Sequence, residues 1–400
     1  MINSRAKAIL SAKDILLPIL CIIDLLMLPY LRFLSCSLSM LLVLFWYFTH
    51  LKKIPAKTGL LFIVFSVIFS LLIGFLCYNS LAGISTAVIL VFFVFLLYFF
   101  DMFFEQKRMR DILSKIFLIY ITVVFLFAII YILRPQLFFD LRSFWSMGNT
   151  KIVFSSRRIN RFTFIYSDPN NAGCALTGIY AYVLFCEKNK FWKSLYYITA
   201  LGVSVAMTMS VQAILAFAVV TVVFLFVSDK DFAPAKKALL YLLCAAAIVA
   251  VVLGSFLLRD GNVVSSLMHR LTHSNFGSAG GRMDYWTATI ENALSWYNVV
   301  IGKGAVIDAS GQTYLPHSGI LYMTVSFGLL SCLAFLGVVF LLPKEARLRY
   351  YVILLPFLMI ILLNTGIIDY RFMGTLAIVV ASVRHQSVPT SVGKCCINVE

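Results

Sequence analysis

The chain has 400 residues, of which 62% are hydrophobic and only 12% charged, against about half and a quarter in an ordinary soluble domain. Its 33 Lys and Arg against 17 Asp and Glu give a net charge of +16, which in a soluble protein would point to nucleic acid; here apolar runs of about twenty residues recur along the whole length and match a bilayer's hydrocarbon core. A soluble domain is thereby excluded, and so is a transmembrane barrel, which needs alternating segments of about ten residues.

The expected class is an all-α polytopic membrane protein with about twelve transmembrane helices. Met1-Ile2-Asn3-Ser4-Arg5-Ala6-Lys7 puts basic residues ahead of the first apolar run, and no small-residue cleavage site follows, so a retained first helix is expected. Spans are expected near 15–30, 33–48, 60–77, 81–100 and 112–133, which together form a first membrane segment, 1–133. A basic outer loop, 134–169, comes next. Spans near 172–185, 195–209, 211–227 and 238–258 form a second membrane segment, 170–258. A large outer loop occupies 259–316, and spans near 318–342, 351–365 and 372–382 form the third segment, 317–383, followed by a tail, 384–400.

Loop charge orients these spans. The turns around Lys52, Arg108, Lys188, Lys236 and Arg347 are all basic, whereas Tyr78-Asn79-Ser80 and Met209-Ser210 carry no charge. Basic turns stay in the cytoplasm, so both termini are expected there. Nine cysteines contain no C-x-x-C pair. Cys21, Cys36, Cys77, Cys174, Cys186, Cys244 and Cys332 fall in or beside apolar runs, where Cys acts as a small hydrophobe. Neither a metal site nor disulfides are expected, and Cys395-Cys396 has no assigned role.

The two long outer loops depart from the charge rule. The first contains Arg134, Arg142, Lys151, Arg157, Arg158 and Arg161, with Asp140 and Asp168 as acids; the second contains Arg259, Arg270, Arg282 and Lys303. Long loops can translocate regardless of charge, but the tight Arg157-Arg158-x-x-Arg161 cluster points to use. The planar Arg fork matches phosphate. Beside a membrane it can hold a lipid-linked phosphate or pyrophosphate and stabilise charge on a departing phosphate, with ordinary headgroups as the alternative ligand. Asp168-Pro169-Asn170-Asn171 reads as a helix start, with Asp as cap and Pro at the first position.

His317, after Pro316, opens the tenth span from the outer side. Histidine suits general-base work near neutral pH, although an interfacial His also serves structure. Tyr285, Trp286, Trp296 and Tyr297 suit either sugar rings or the membrane interface. Apolar residues at helical spacing over 284–297 predict a short amphipathic helix lying on the membrane. Gly277-Ser278-Ala279-Gly280-Gly281 reads as a hinge, since it lacks the Gly-Lys-Ser/Thr ending of a phosphate loop. A transporter would place functional charges near the midplane, often on broken helices; Asp24 is the clearest charge within a span.

The order of these pieces resembles the bacterial O-antigen polymerases and ligases, the Wzy-type superfamily of glycan-assembly enzymes. The matching pieces are Arg161-Phe162-Thr163, Asp168-Pro169-Asn170, Gly281-Arg282-x-x-x-Trp286, Gly302-Lys303-Gly304, Pro316-His317-Ser318-Gly319-Ile320-Leu321 and Phe327-Gly328-Leu329. The resemblance covers roughly 150–345, and the segment before it matches only as hydrophobic spans. It implies a metal-independent glycosyltransferase without a cofactor, in the bacterial cytoplasmic (inner) membrane, working on its periplasmic face. The substrate would be an undecaprenyl-pyrophosphate-linked oligosaccharide, polymerised into O-antigen, capsule or exopolysaccharide. By position, Arg282 would contact the pyrophosphate and His317 would deprotonate or orient the acceptor hydroxyl. Arg157, Arg158 and Arg161, with Asn170 and Trp286, would bind substrate.

It leaves open whether the enzyme works alone or beside a flippase and a chain-length regulator. Many relatives carry Ser/Thr-Arg where this chain has Thr208-Met209-Ser210-Val211-Gln212. That departure disfavours the ligase, which moves polymer onto lipid A core, and leaves Arg157, Arg158 or Arg161 to supply a second charge. The metal-dependent polyprenyl glycosyltransferases need paired acids in the first outer loop, and the segment near Leu31–Phe33 has none. The alternative from another class is a transporter or flippase of the same lipid-linked sugar.

Overall fold

The computed structural model describes residues 15–28, 37–50, 58–78, 83–143, 161–187, 191–227, 282–293, 296–304, 306, 316–340, 347–364 and 366–385. Among them every regular element is helical and there is no strand. In order these are α1 (Leu16–Leu26), α2 (Leu38–His50), α3 (Thr58–Tyr78), α4 (Ile84–Phe104), α5 (Lys107–Leu133), α6 (Pro135–Arg142) and α7 (Pro169–Cys186). They continue with α8 (Phe191–Met207), α9 (Val211–Val227), α10 (Arg282–Ala293), α11 (Trp296–Ile301), α12 (Gly319–Phe340), α13 (Arg347–Leu363), a 3₁₀ turn (Gly366–Ile368) and α14 (Tyr370–Arg384). By length and composition α4, α5 and α12 can each cross a membrane; α1, α2, α9 and much of α3 and α13 are apolar but shorter. The expected ninth span, 238–258, and the Gly277–Gly281 hinge lie outside the described residues.

Helix α4 is apolar all round, as a buried or membrane-spanning helix is. It packs along α14, which in turn packs on α7 and α1. Every residue of α14 from Tyr370 to Val383 is buried. Small residues make that possible: a Cβ on Gly374 would sit 2.6 Å from Leu25 Cδ2. Around this centre α7 packs on α8, α9 and α13, and α3 packs on α12.

The chain reverses direction at α4–α5, α7–α9 and α12–α14, and the bundle has two unlike ends. At one end His385, after α14, pairs with Asp101 near the end of α4 at 3.0 Å. Tyr350 Oη, early in α13, donates to Val339 O near the end of α12 at 2.9 Å, and Arg384 donates to the neighbouring Val338 O. Tyr182, late in α7, meets Ser382 at 2.6 Å. The opposite end gathers the starts of α7, α12 and α14, and the junctions α1–α2 and α8–α9.

Four expected boundaries shift. The first outer loop is not wholly loop, because Pro135 starts α6, whose Phe138 and Phe139 pack on Tyr131 and Phe162. The sixth span begins at Pro169 and the twelfth runs from Tyr370 to Arg384. Two helices, α10 and α11, replace the single one expected over 284–297, and both pack on α12.

The tenth span is broken at Gly328, where φ is +84° and ψ 157°. Into that break run Ile301, Gly302, Lys303 and Gly304. Lys303 N–H donates to Val325 O and Gly304 N–H to Ser326 O, each at 2.8 Å. The loop backbone thus takes carbonyls that a continuous helix would have satisfied itself.

Candidate functional site

The polar end of the bundle is built from helix starts. Asp168 caps α7, its Oδ1 accepting from Asn170 N–H at 2.7 Å. Ser318 caps α12, its Oγ accepting from Leu321 N–H at 3.4 Å. Asp369 caps α14, its Oδ1 accepting from Arg371 N–H at 2.9 Å and Phe372 N–H at 3.2 Å. A cap accepts the amide protons that a helix start leaves without intrahelical partners, and here three such caps belong to segments far apart in sequence.

Asn364, at the end of α13, joins the two stretches that the sequence singles out. Its Nδ2 donates to Asp168 Oδ1 at 3.4 Å, and its carbonyl accepts from Gly319 N–H at 2.8 Å. Gly319 is required at this contact, since a Cβ would come within 2.8 Å of Ile361 O. Asp369 ties the first stretch to α14: its Oδ2 accepts from Ser167 N–H at 3.1 Å, Ser167 Oγ–H at 2.5 Å and Asn171 Nδ2 at 3.2 Å. Sequence reading passed over Asn364, Asp369 and Arg371. The available signal was a short turn between two spans, Asn364-Thr365-Gly366-Ile367-Ile368-Asp369, that starts and ends on polar residues.

Arg161 lies in this cluster. Its Nε–H donates to Thr208 O at 2.7 Å and its Nη2 to Asn170 Oδ1 at 3.0 Å. The cation therefore sits at the α8–α9 junction, which leads into Val211, where the resemblance leads one to expect an Arg, and Gln212. Gln212 Oε1 is buried with no hydrogen-bond partner among the described residues. Arg142 is half-buried and donates to Tyr166 O at 3.5 Å; burial lowers its pKa. Burial also pushes the Tyr166 phenol up to about 12, so Tyr166 is a neutral hydroxyl, linking Tyr120 at 3.3 Å with Thr375 at 3.1 Å.

Arg371 is almost wholly buried, and its guanidinium reaches Leu25 O at 3.4 Å and Leu28 O at 2.5 Å. It closes the end of α1, where a cation complements the helix dipole. Asp24, the in-span acid, accepts from Ser39 N–H at 2.8 Å at the start of α2. Ser37, Ser39 and the Tyr370 hydroxyl meet beside it. Asp24 and Arg371 each serve a helix end.

His317 is half-buried and stands immediately before the Ser318 cap, with φ at +51°. Left-handed backbone is uncommon outside glycine, and strain of this kind gathers at functional sites. Phe164, in the Arg161 stretch, has φ +48°. Trp286, on α10, is half-buried, and its Nε1 is buried without a partner among the described residues. Arg282 is the first residue of α10, its side chain outside the description; Arg157 and Arg158 lie outside it altogether. Of the candidate residues, then, Arg161 and Asn170 are brought into one hydrogen-bonded group, and that group is joined through Asp168 and Asn364 to the residue pair following His317. Among the described residues no group of three or more His, Cys, Asp or Glu could hold a metal ion.

No protein-family model matches the chain, and no curated protein or solved structure matches it.

Proposed function

We propose that this chain is a membrane glycosyltransferase. It joins polyprenyl-pyrophosphate-linked repeat units into polysaccharide on the outer face of a bacterial cytoplasmic membrane, with both termini inside and about twelve spans. The observation that carries the reading is the meeting of the Arg161–Asn171 and Pro316–Ser318 stretches at one end of the bundle through Asn364. Among the described residues the opposite end carries Lys107, Arg108 and Arg110 at the start of α5 and Arg349 at the start of α13, and the positive-inside rule would put such residues in the cytoplasm. In this mechanism His317, held by its left-handed backbone, takes the proton from the acceptor hydroxyl as that oxygen attacks the anomeric carbon. Arg282 and the Arg161 cluster bind the pyrophosphate and stabilise its charge as it leaves. Trp286 and Asn170 contact the sugars.

The test is a surface-glycan gel from a deletion strain complemented with wild type or His317→Ala. Wild type restores a ladder, and His317→Ala is expected to leave a single repeat unit on lipid A core. A bare core with accumulated lipid-linked polymer would identify a ligase instead. A full ladder from both His317→Ala and Arg282→Ala at normal protein levels would sink the assignment of the site.

The break in α12 favours a second reading, transport of the same lipid-linked sugar, because transporters build sites on interrupted helices. Under that reading the deletion strain would trap single units on the cytoplasmic leaflet.

A further inference from the structure

A basic residue that the mechanism above leaves unused is Arg142, the last residue of α6. The helix has two faces. Leu137 is 47% exposed, whereas Phe138 and Phe139 are buried against Tyr131 and Phe162. Arg142 follows these two phenylalanines at i+4 and i+3, so it shares their inward face. It lies about 140° round the helix from Leu137. Its Nη2 accordingly reaches inward and donates to Tyr166 O at 3.5 Å.

That contact leaves the guanidinium poorly satisfied. The bond is long for a charged donor, and Nε is buried with no hydrogen-bond partner among the described residues. The Thr163 hydroxyl is in the same condition, buried and without a partner among the described residues. It belongs to the turn that Tyr166 N–H closes on Thr163 O at 3.0 Å. Two such groups beside one turn need a reason, since buried polar groups in folded proteins are nearly all paired. Burial also lowers the Arg142 pKa, so the charged form is held there at a cost. A cation in the last turn complements the α6 dipole, but it does so as well from water, and that duty gives no cause to bury Nε.

We propose that Arg142 binds the carboxylate of an acidic sugar. The Nε and Nη2 edge of a guanidinium presents two parallel N–H groups that match two carboxylate oxygens. A small rotation of the side chain offers that edge to a ligand and gives up only the bond to Tyr166 O. Tyr166 stands two residues before Asp168, at most about 7 Å along the chain, so the ligand lies beside the Asp168, Asn170 and Asn364 group. A lipid phosphate fits less well, because the exposed apolar residue of α6 that suits lipid is Leu137, and Arg142 faces away from it. The carboxylate site stands on this geometry; that the acid belongs to a glycan repeat unit rests on the function proposed above.

The test is sugar binding by the full-length protein in phosphatidylcholine nanodiscs, read by saturation-transfer difference NMR for wild type, Arg142→Gln and Arg142→Lys. The probes are methyl glucuronide and the neutral methyl glucoside, with inorganic phosphate as a competitor. Wild type is expected to bind the glucuronide at least about tenfold more tightly than the glucoside, the scale of one charged hydrogen bond. Arg142→Gln is expected to lose that preference. Arg142→Lys keeps the charge but not the paired donors and is expected to fall between the two, and all three proteins to share one melting temperature. Equal affinity for the two sugars in wild type, or a glucuronide preference that survives in folded Arg142→Gln, would overturn the proposal. So would phosphate that binds more tightly than the glucuronide and displaces it, since the site would then belong to phosphate. The glycan ladder is a separate readout: a ladder indifferent to His317 and Arg282, with glucuronide binding still dependent on Arg142, would reject the transferase and leave this site standing.

Discussion

Arg161 donates to Thr208 O and to Asn170 Oδ1, so part of its fork is committed to holding the α8–α9 junction against the start of α7. Both contacts use the planar geometry, which lysine lacks. Arg161→Lys should therefore lower stability by ~1–3 kcal/mol, seen as a lower melting temperature in detergent, even though charge is conserved. The two oxygens of Asp369 have separate duties, Oδ1 on the α14 cap and Oδ2 on Ser167 and Asn171. Asp369→Asn can keep the cap while opposing an amide NH₂ to the donors at Oδ2. It should melt higher than Asp369→Ala, which loses both duties, by ~1–2 kcal/mol of stability. At this scale the sequence was legible where a motif had internal logic: the Asp-Pro helix start is as expected. Asn364 and Asp369 were not legible, since their partners lie 196 and 202 residues away and no local spacing reports such a contact.

Among the elements, α12 departs most from its sequence. Phe327-Gly328-Leu329 sits inside a long apolar run, and glycine is tolerated within membrane helices, so hydropathy predicts continuity. The break becomes necessary only when Gly302 and Lys303 enter, because the backbones then approach too closely for any Cβ. Gly328→Ala places a Cβ 2.3 Å from Val300 O at a φ of +84°. Left-handed strain and overpacking together should cost at least ~2 kcal/mol, visible as lost yield and a lowered melting temperature. Gly178→Ala, in α7, is a contrasting case with ordinary backbone. Its Cβ would meet the Phe357 ring at 2.1 Å, so the damage should be relieved in part by Phe357→Leu added as a second substitution. Helix α6 was missed for a different reason: its charges at Asp140 and Arg142 mask Phe138 and Phe139, whose burial depends on Phe162 across the loop.

For the whole molecule, the chain reverses direction from α4 to α5, from α7 through α9 and from α12 to α14. In a cysteine-free background, Gln136→Cys on exposed α6 should react with an impermeant maleimide on intact spheroplasts, while Glu105→Cys, in the turn between α4 and α5, should react only after lysis. Labelling of both from outside would reject the orientation. The meeting of Ser37 and Ser39 with Tyr370 has a consequence in time. These residues are 333 and 331 positions apart, so at ribosomal speeds roughly twenty seconds to a minute separates their synthesis. Throughout that interval the nascent bundle lacks its central α14, and α4 and then α7, once made, present an open slot to lipid. Membrane insertases or chaperones that shield such a slot should matter more for this chain than for one whose helices pair only with their neighbours in sequence.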